Sequence, residues 1–255
     1  MLKLCASFLL DLLRSRILLA YALLLSVMGW GVFLLESQPE KALLLLLQMV
    51  LLVIPVVCMV FSAAYYYHAQ EFILLLLAQP IERGSILGGL MAALCLGCSL
   101  AYVLGLGLPA LFFFPSKESL LLLGAGGLLG MAFIALALLL GTHIRDKARG
   151  IGAALAVLAF FALLFDGLLL FLMYQFADYP MEKAILALSF FNPLDVARIA
   201  VIMKSDAAAL LGLSGAVFRE FFGTSSSLWI SLAALVFWVL IPYGLARRRF
   251  VRMDF

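Results

Sequence analysis

Six stretches of this chain are long and apolar enough to cross a lipid bilayer, which leaves little freedom in how it can fold. They run roughly from Ile17 to Leu35, Ala42 to Tyr67, Ile86 to Phe114, Leu120 to Thr142, Ile151 to Phe176 and Leu228 to Ala246. A hydrocarbon core about 30 Å thick needs about 20 residues of helix, and in lipid only helices and closed barrels satisfy their own backbone polar groups. Blocks of this length select helices. The expected fold is an all-α integral membrane protein, a single transmembrane domain over 1–255 with six transmembrane helices. Composition agrees: 67% of residues are hydrophobic and 12% charged, against about 45–50% and 25% in soluble domains.

Charge sidedness sets the expected orientation. Six spans put both termini on one side. If that side is the cytosol, it holds Lys3, Arg14, Arg16, Arg83, Arg145, Lys147, Arg149, Arg247, Arg248, Arg249 and Arg252, eleven of the 17 basic residues. Four of the other six (Lys183, Arg198, Lys204, Arg219) belong to one long loop, where basic residues weigh little. Both termini are therefore expected in the cytosol, with residues 247–255 as a basic tail. The first block follows a basic stretch but lacks a small-residue cleavage site before Glu36, so it reads as a retained span.

Between the second and third spans lies EFILLLLAQPIERGSILG, where Phe72 to Ala78 form seven consecutive apolar residues between Glu71 and the Gln79-Pro80 break. The run is too short to span. In a cytosolic loop over 68–85 it either lies in the membrane interface or fills a groove on another protein, which makes it a candidate coupling element. Residues 1–16 carry a second short pattern. Lys3, Ser7, Asp11 and Arg14 recur along one face and Leu4, Phe8, Leu9 and Leu12 along the other, as in an amphipathic helix lying flat at the interface.

The loop over 177–227 is too long and too apolar to be a plain connector and is expected to fold outside the membrane. Asn192-Pro193 has the form of an N-cap followed by proline at the first helical position, with Asp195 in the first turn. A short helix from Pro193 to about Lys204 follows, in which Asp195 and Arg198 are spaced to pair. Ala207 to Phe222 gathers Leu210, Leu211, Leu213, Val217, Phe218, Phe221 and Phe222 beside Arg219 and Glu220. That surface either packs on the outer ends of the spans or binds another protein.

No G-x-x-x-x-G-K-[ST] loop, G-x-S-x-G elbow or H-E-x-x-H pair is present, so the chain shows no visible catalytic machinery and no such device for ATP. His68 and Glu71 have an H-x-x-E spacing, but the other histidine, His143, lies in a different loop. Met91, Cys95 and Cys98 share one face of the third span and Cys58-Met59 sits in the second; soft sulfur would suit Cu(I), yet both residue types are ordinary in membrane helices, and no metal is assigned. Asp166 is the one ionisable residue within a predicted span, either a proton or cation site or a hydrogen-bonding anchor in the bundle or at a dimer interface. Gly84-x-x-x-Gly88 and Gly126-x-x-x-Gly130 read as close-packing helix faces.

Together, the flat N-terminal helix, six spans, short apolar cytosolic element and missing ATPase motif resemble an ABC-2-type ABC transporter permease. Three patches resemble more specifically the membrane subunits of Nos-type transporters, which support maturation of nitrous oxide reductase: QEFILLLLAQPIER at 70–83, LLFDGLLL at 163–170, and FNPLDVAR at 191–198 with ALLGLSGAVFREFFG at 209–223. Where many members of the family carry an acidic pair with Gly-Thr before the first patch, this chain has YYYHAQEF.

The resemblance implies a bacterial inner-membrane subunit with no catalytic residues and no cofactor of its own. Two copies would pair in the bilayer. Each would lay its cytosolic element into a groove of a separate ATPase subunit that binds ATP and Mg, with Glu71, Phe72, Leu75, Pro80 and Arg83 as the coupling residues. The outer loop would engage a periplasmic copper-handling protein through Asn192, Asp195, Arg198, Phe218, Arg219 and Phe222. No nucleic-acid partner is expected. The alternatives are an ABC-2 exporter of a lipid, drug or ion, and an intramembrane enzyme or scaffold.

Overall fold

The computed structural model describes residues 2–176, 187–202 and 226–253. Its elements are α1 (Leu2–Leu13), α2 (Arg16–Leu35), α3 (Pro39–His68), α4 (Gln70–Leu77), α5 (Arg83–Phe113), α6 (Lys117–His143), α7 (Lys147–Gln175), α8 (Pro193–Ile202) and α9 (Ser226–Val251). No strand occurs among the described residues. The six long apolar helices α2, α3, α5, α6, α7 and α9 match the six expected spans. The face where the chain enters α2 and leaves α9 is termed the near face, and the opposite one the far face.

Helix α6 is the centre of the bundle, packing most extensively on α9 and α3 and further on α8 and α5. Its sequence explains this, because small residues let neighbouring backbones approach where lipid offers no hydrophobic drive. A Cβ on Gly130 would lie 3.1 Å from Ile54 Cγ2 and 3.2 Å from Cys58 Sγ, and one on Gly126 would run into the Tyr102 ring and Val50. Gly126 and Gly130 are therefore close-packing positions against α3. Polar caps mark the starts of α6 and α7: Ser119 N–H donates to Ser116 Oγ (3.2 Å) and Arg149 N–H to Asp146 Oδ1 (2.8 Å). Two helices contain π turns, Val103–Gly107 in α5 and Phe160–Leu164 in α7.

Two expectations need correction. Helix α1 does not lie flat across the bundle: Leu4 packs at Gly89 and Leu12 at Gly97, so α1 runs alongside α5 in the same direction. Gly89, Ala93 and Gly97, one every four residues, form a shallow groove on α5 that covers Phe8 and Leu12 of α1.

The second correction concerns α8, which does not stand beyond the ends of the long helices but packs alongside them. Asn192, just before it, donates its side-chain amide to Phe161 O at 3.1 Å, and Phe161 is the central residue of α7. Trp238 Nε1, at the middle of α9, donates to Phe190 O at 3.1 Å. The segment before α8 therefore lies level with the middles of α7 and α9. Nearly all of α8 is buried, packed on α9 and α6.

Candidate functional site

At the near face the chain turns at Ala69 from α3 into α4. The sequence FILLLL cannot bury all its side chains on one eight-residue helix. Ile73 and Leu76, three residues apart, point into the bundle and are buried, while Phe72, Leu74 and Leu75 remain exposed, Leu75 by 67%. Glu71 and Pro80 are also exposed. The result is a short, anchored helix with an apolar outer surface.

Both ends of this corner are tied to other helices. On the α3 side, Tyr67 OH donates to Ile144 O at 2.8 Å, in the link between α6 and α7. On the α5 side, Arg83 Nη1 donates to the main-chain oxygens of Val251 (3.3 Å) and Met253 (3.0 Å), at the end of α9. A guanidinium there also suits the negative end of the α9 dipole. Arg83 is thus engaged within the chain itself, and of the five expected coupling residues Phe72 and Leu75 offer the apolar surface.

A cavity of about 350 Å³ opens beside α4, lined by Ser7, Phe8 and Asp11 of α1, Tyr65 and His68 of α3, and Phe72. Tyr65 OH donates to Asp11 Oδ2 at 2.8 Å. The rings of Phe8 and Phe72 meet edge to face at 5.4 Å. Helix α1 is therefore joined to α4 directly.

In the far half lies a polar cluster. Asn192 accepts from Leu194 N–H through Oδ1 (3.1 Å), capping α8, and donates through Nδ2 to Asp195 Oδ2 (3.1 Å) besides Phe161 O. Arg198 Nη1 donates to Asp195 Oδ1 at 3.0 Å, the pairing expected from their spacing. Its Nη2 lies 3.7 Å from Asp166 Oδ2 on α7. Asp166 accordingly has a basic partner, which its own span does not reveal. Asn192 and Asp195 are interior, so of these three expected contact residues Arg198 alone retains appreciable exposure, 35% of its side chain. Phe218, Arg219 and Phe222 lie outside the described residues.

Among the described residues no group of three or more His, Cys, Asp or Glu could hold a metal. His68 and Glu71 are both exposed, and His68 faces the cavity instead. Cys58 and Cys98 are buried and line a cavity of about 10 Å³, barely room for one water.

Residues that sequence reasoning missed are Asp11, Tyr65, Tyr67, Phe161 and Trp238. The run Tyr65-Tyr66-Tyr67 at a span end was a visible signal, since buried tyrosine hydroxyls seek partners. Nothing in the sequence marks Phe161.

No protein-family model matches the chain. A protein described as a probable ABC transporter permease protein NosY, from Pseudomonas aeruginosa, is 33% identical over 184 residues, which cover 68% of this chain and 66% of that protein. The match thus spans just under two thirds of the relative's length. With six helices long and apolar enough to cross a membrane, α6 central among them, the chain belongs to the ABC transporter permeases.

Proposed function

We propose that this chain is the membrane subunit of an ABC-2-type transporter, and that α4 receives motion from a separate ATPase and passes it through the bundle to the far face. The observation that carries this reading is α4 itself: anchored by Ile73 and Leu76, apolar outside at Phe72, Leu74 and Leu75, and tied at both ends through Tyr67 and Arg83. An exposed apolar helix face at the end of a span calls for a partner groove. ATP and Mg belong to that partner, and the near face is then cytosolic. Two copies pair in the bacterial inner membrane through apolar helix faces.

Similarity to NosY, together with the Nos-type resemblance of residues 70–83, 163–170, 191–198 and 209–223, extends the proposal to copper-site maturation of nitrous oxide reductase. On this reading a periplasmic copper-handling protein meets the far face and follows its movement. A second reading, an exporter moving a lipid, drug or ion between two copies, is favoured by Asp166, whose side chain is 39% exposed on the otherwise apolar surface of α7.

The test is co-purification with a separate ABC ATPase subunit. Phe72→Asp and Leu75→Asp are expected to abolish association while leaving the chain folded in the membrane. Undiminished association would contradict both readings.

A further inference from the structure

We propose that the cavity between α1 and the α3–α4 corner binds the ammonium headgroup of a membrane lipid, phosphatidylethanolamine. Its volume of about 350 Å³ is at the small end of the roughly 300–1,000 Å³ range of small-molecule pockets. One wall is polar, with the Asp11 carboxylate, the Tyr65 hydroxyl and Ser7. The other is aromatic, with Phe72 set against the buried edge-on ring of Phe8. Among the described residues no cation lies within ion-pair distance of Asp11, whose charge is met by the single neutral donor Tyr65. Ser7 Oγ spends its hydrogen on Leu4 O at 2.9 Å and keeps lone pairs to accept. An alkyl ammonium has three N–H donors and a positive charge, and takes a carboxylate, a hydroxyl oxygen and an aromatic ring as partners.

Location selects a lipid over a soluble amine. The cavity sits where the long apolar helix α3 ends, and Leu10 and Leu13, exposed on the same helix as Asp11, offer an apolar track for an acyl chain. His68, exposed at the rim, supplies a donor for the lipid phosphate. Headgroup binding would add to the Phe8–Phe72 contact between α1 and α4 and stiffen the corner, whether or not α4 engages an ATPase.

Native mass spectrometry of the full chain, titrated in detergent with phosphatidylethanolamine and with phosphatidylglycerol of the same acyl chains, tests this. Phosphatidylethanolamine is expected to bind about tenfold more tightly, the scale of one charge and one ring contact. Asp11→Asn should lower it to the phosphatidylglycerol level without changing phosphatidylglycerol binding. Phe72→Leu, which leaves the Asp11–Tyr65 bond in place, should weaken it several-fold. Equal binding of the two lipids, or full phosphatidylethanolamine binding by both variants, would overturn the proposal. Displacement of the lipid by soluble phosphoethanolamine would overturn it in favour of a soluble amine, and lipid expelled by the ATPase subunit in favour of a basic side chain of that subunit.

Discussion

Asn192 donates its side-chain amide to the main-chain carbonyl of Phe161, at 3.1 Å, and so fastens the start of α8 to the middle of α7. The carbonyl lies in the π turn Phe160–Leu164, where the regular helical ladder is interrupted and open to a side-chain donor. The bond is buried, so water does not compete for it. The same residue caps α8 and holds Asp195, so one side chain starts a helix and ties it to its neighbour.

Asn192→Leu should therefore destabilise the chain by about 1–3 kcal/mol, the range for leaving a buried polar group unpaired, seen as a lowered unfolding temperature in detergent. Asn192→Asp keeps the acceptor for Leu194 N–H but sets a carboxylate against Phe161 O and Asp195. It should be worse than Asn192→Leu at neutral pH and recover on acidification.

Glycine substitutions should separate by position. A Cβ on Gly105 would stand 2.7 Å from both Ala22 O and Leu25 Cβ, whereas nothing lies within 4 Å of one on Gly127. Gly105→Ala should cost about 1–3 kcal/mol through overpacking, while Gly127→Ala should be neutral or stabilise by up to about 1 kcal/mol through helix propensity. Paired melting curves in one detergent decide it.

Within α4, neighbouring aspartates should have opposite effects. Ile73→Asp places a charge in the bundle and should reduce folded yield, whereas Leu75→Asp, on the exposed side, should melt like the parent and lose only ATPase association. Size-exclusion profiles of the two variants separate these outcomes.

The spans were legible because each is a long apolar block, and the observed helices begin and end within a few residues of the expected limits. The run Phe72 to Ala78 was legible as a separate short element for the opposite reason, being apolar but too short to span, and it forms most of the helix Gln70–Leu77. Asp195 and Arg198 could be paired because they lie one turn apart on one helix. Asp166 could not be given its partner, since Arg198 is 32 positions away and reaches it only when α8 inserts beside α7. The depth of α8 rests on the Asn192–Phe161 contact, which no periodicity encodes. The course of α1 likewise depends on a groove of small residues that belongs to α5.

Transmission from α4 to the far face is the central claim, and a distance measurement in the assembled complex tests it most directly. Spin labels at Tyr174, 85% exposed in the last turn of α7, would report the separation between two copies bound to their ATPase. The account predicts a separation that shifts when ATP is trapped, with the shift lost in Asn192→Leu while ATP turnover continues. An unchanged separation during full ATP turnover, or a shift undiminished in Asn192→Leu, would contradict it.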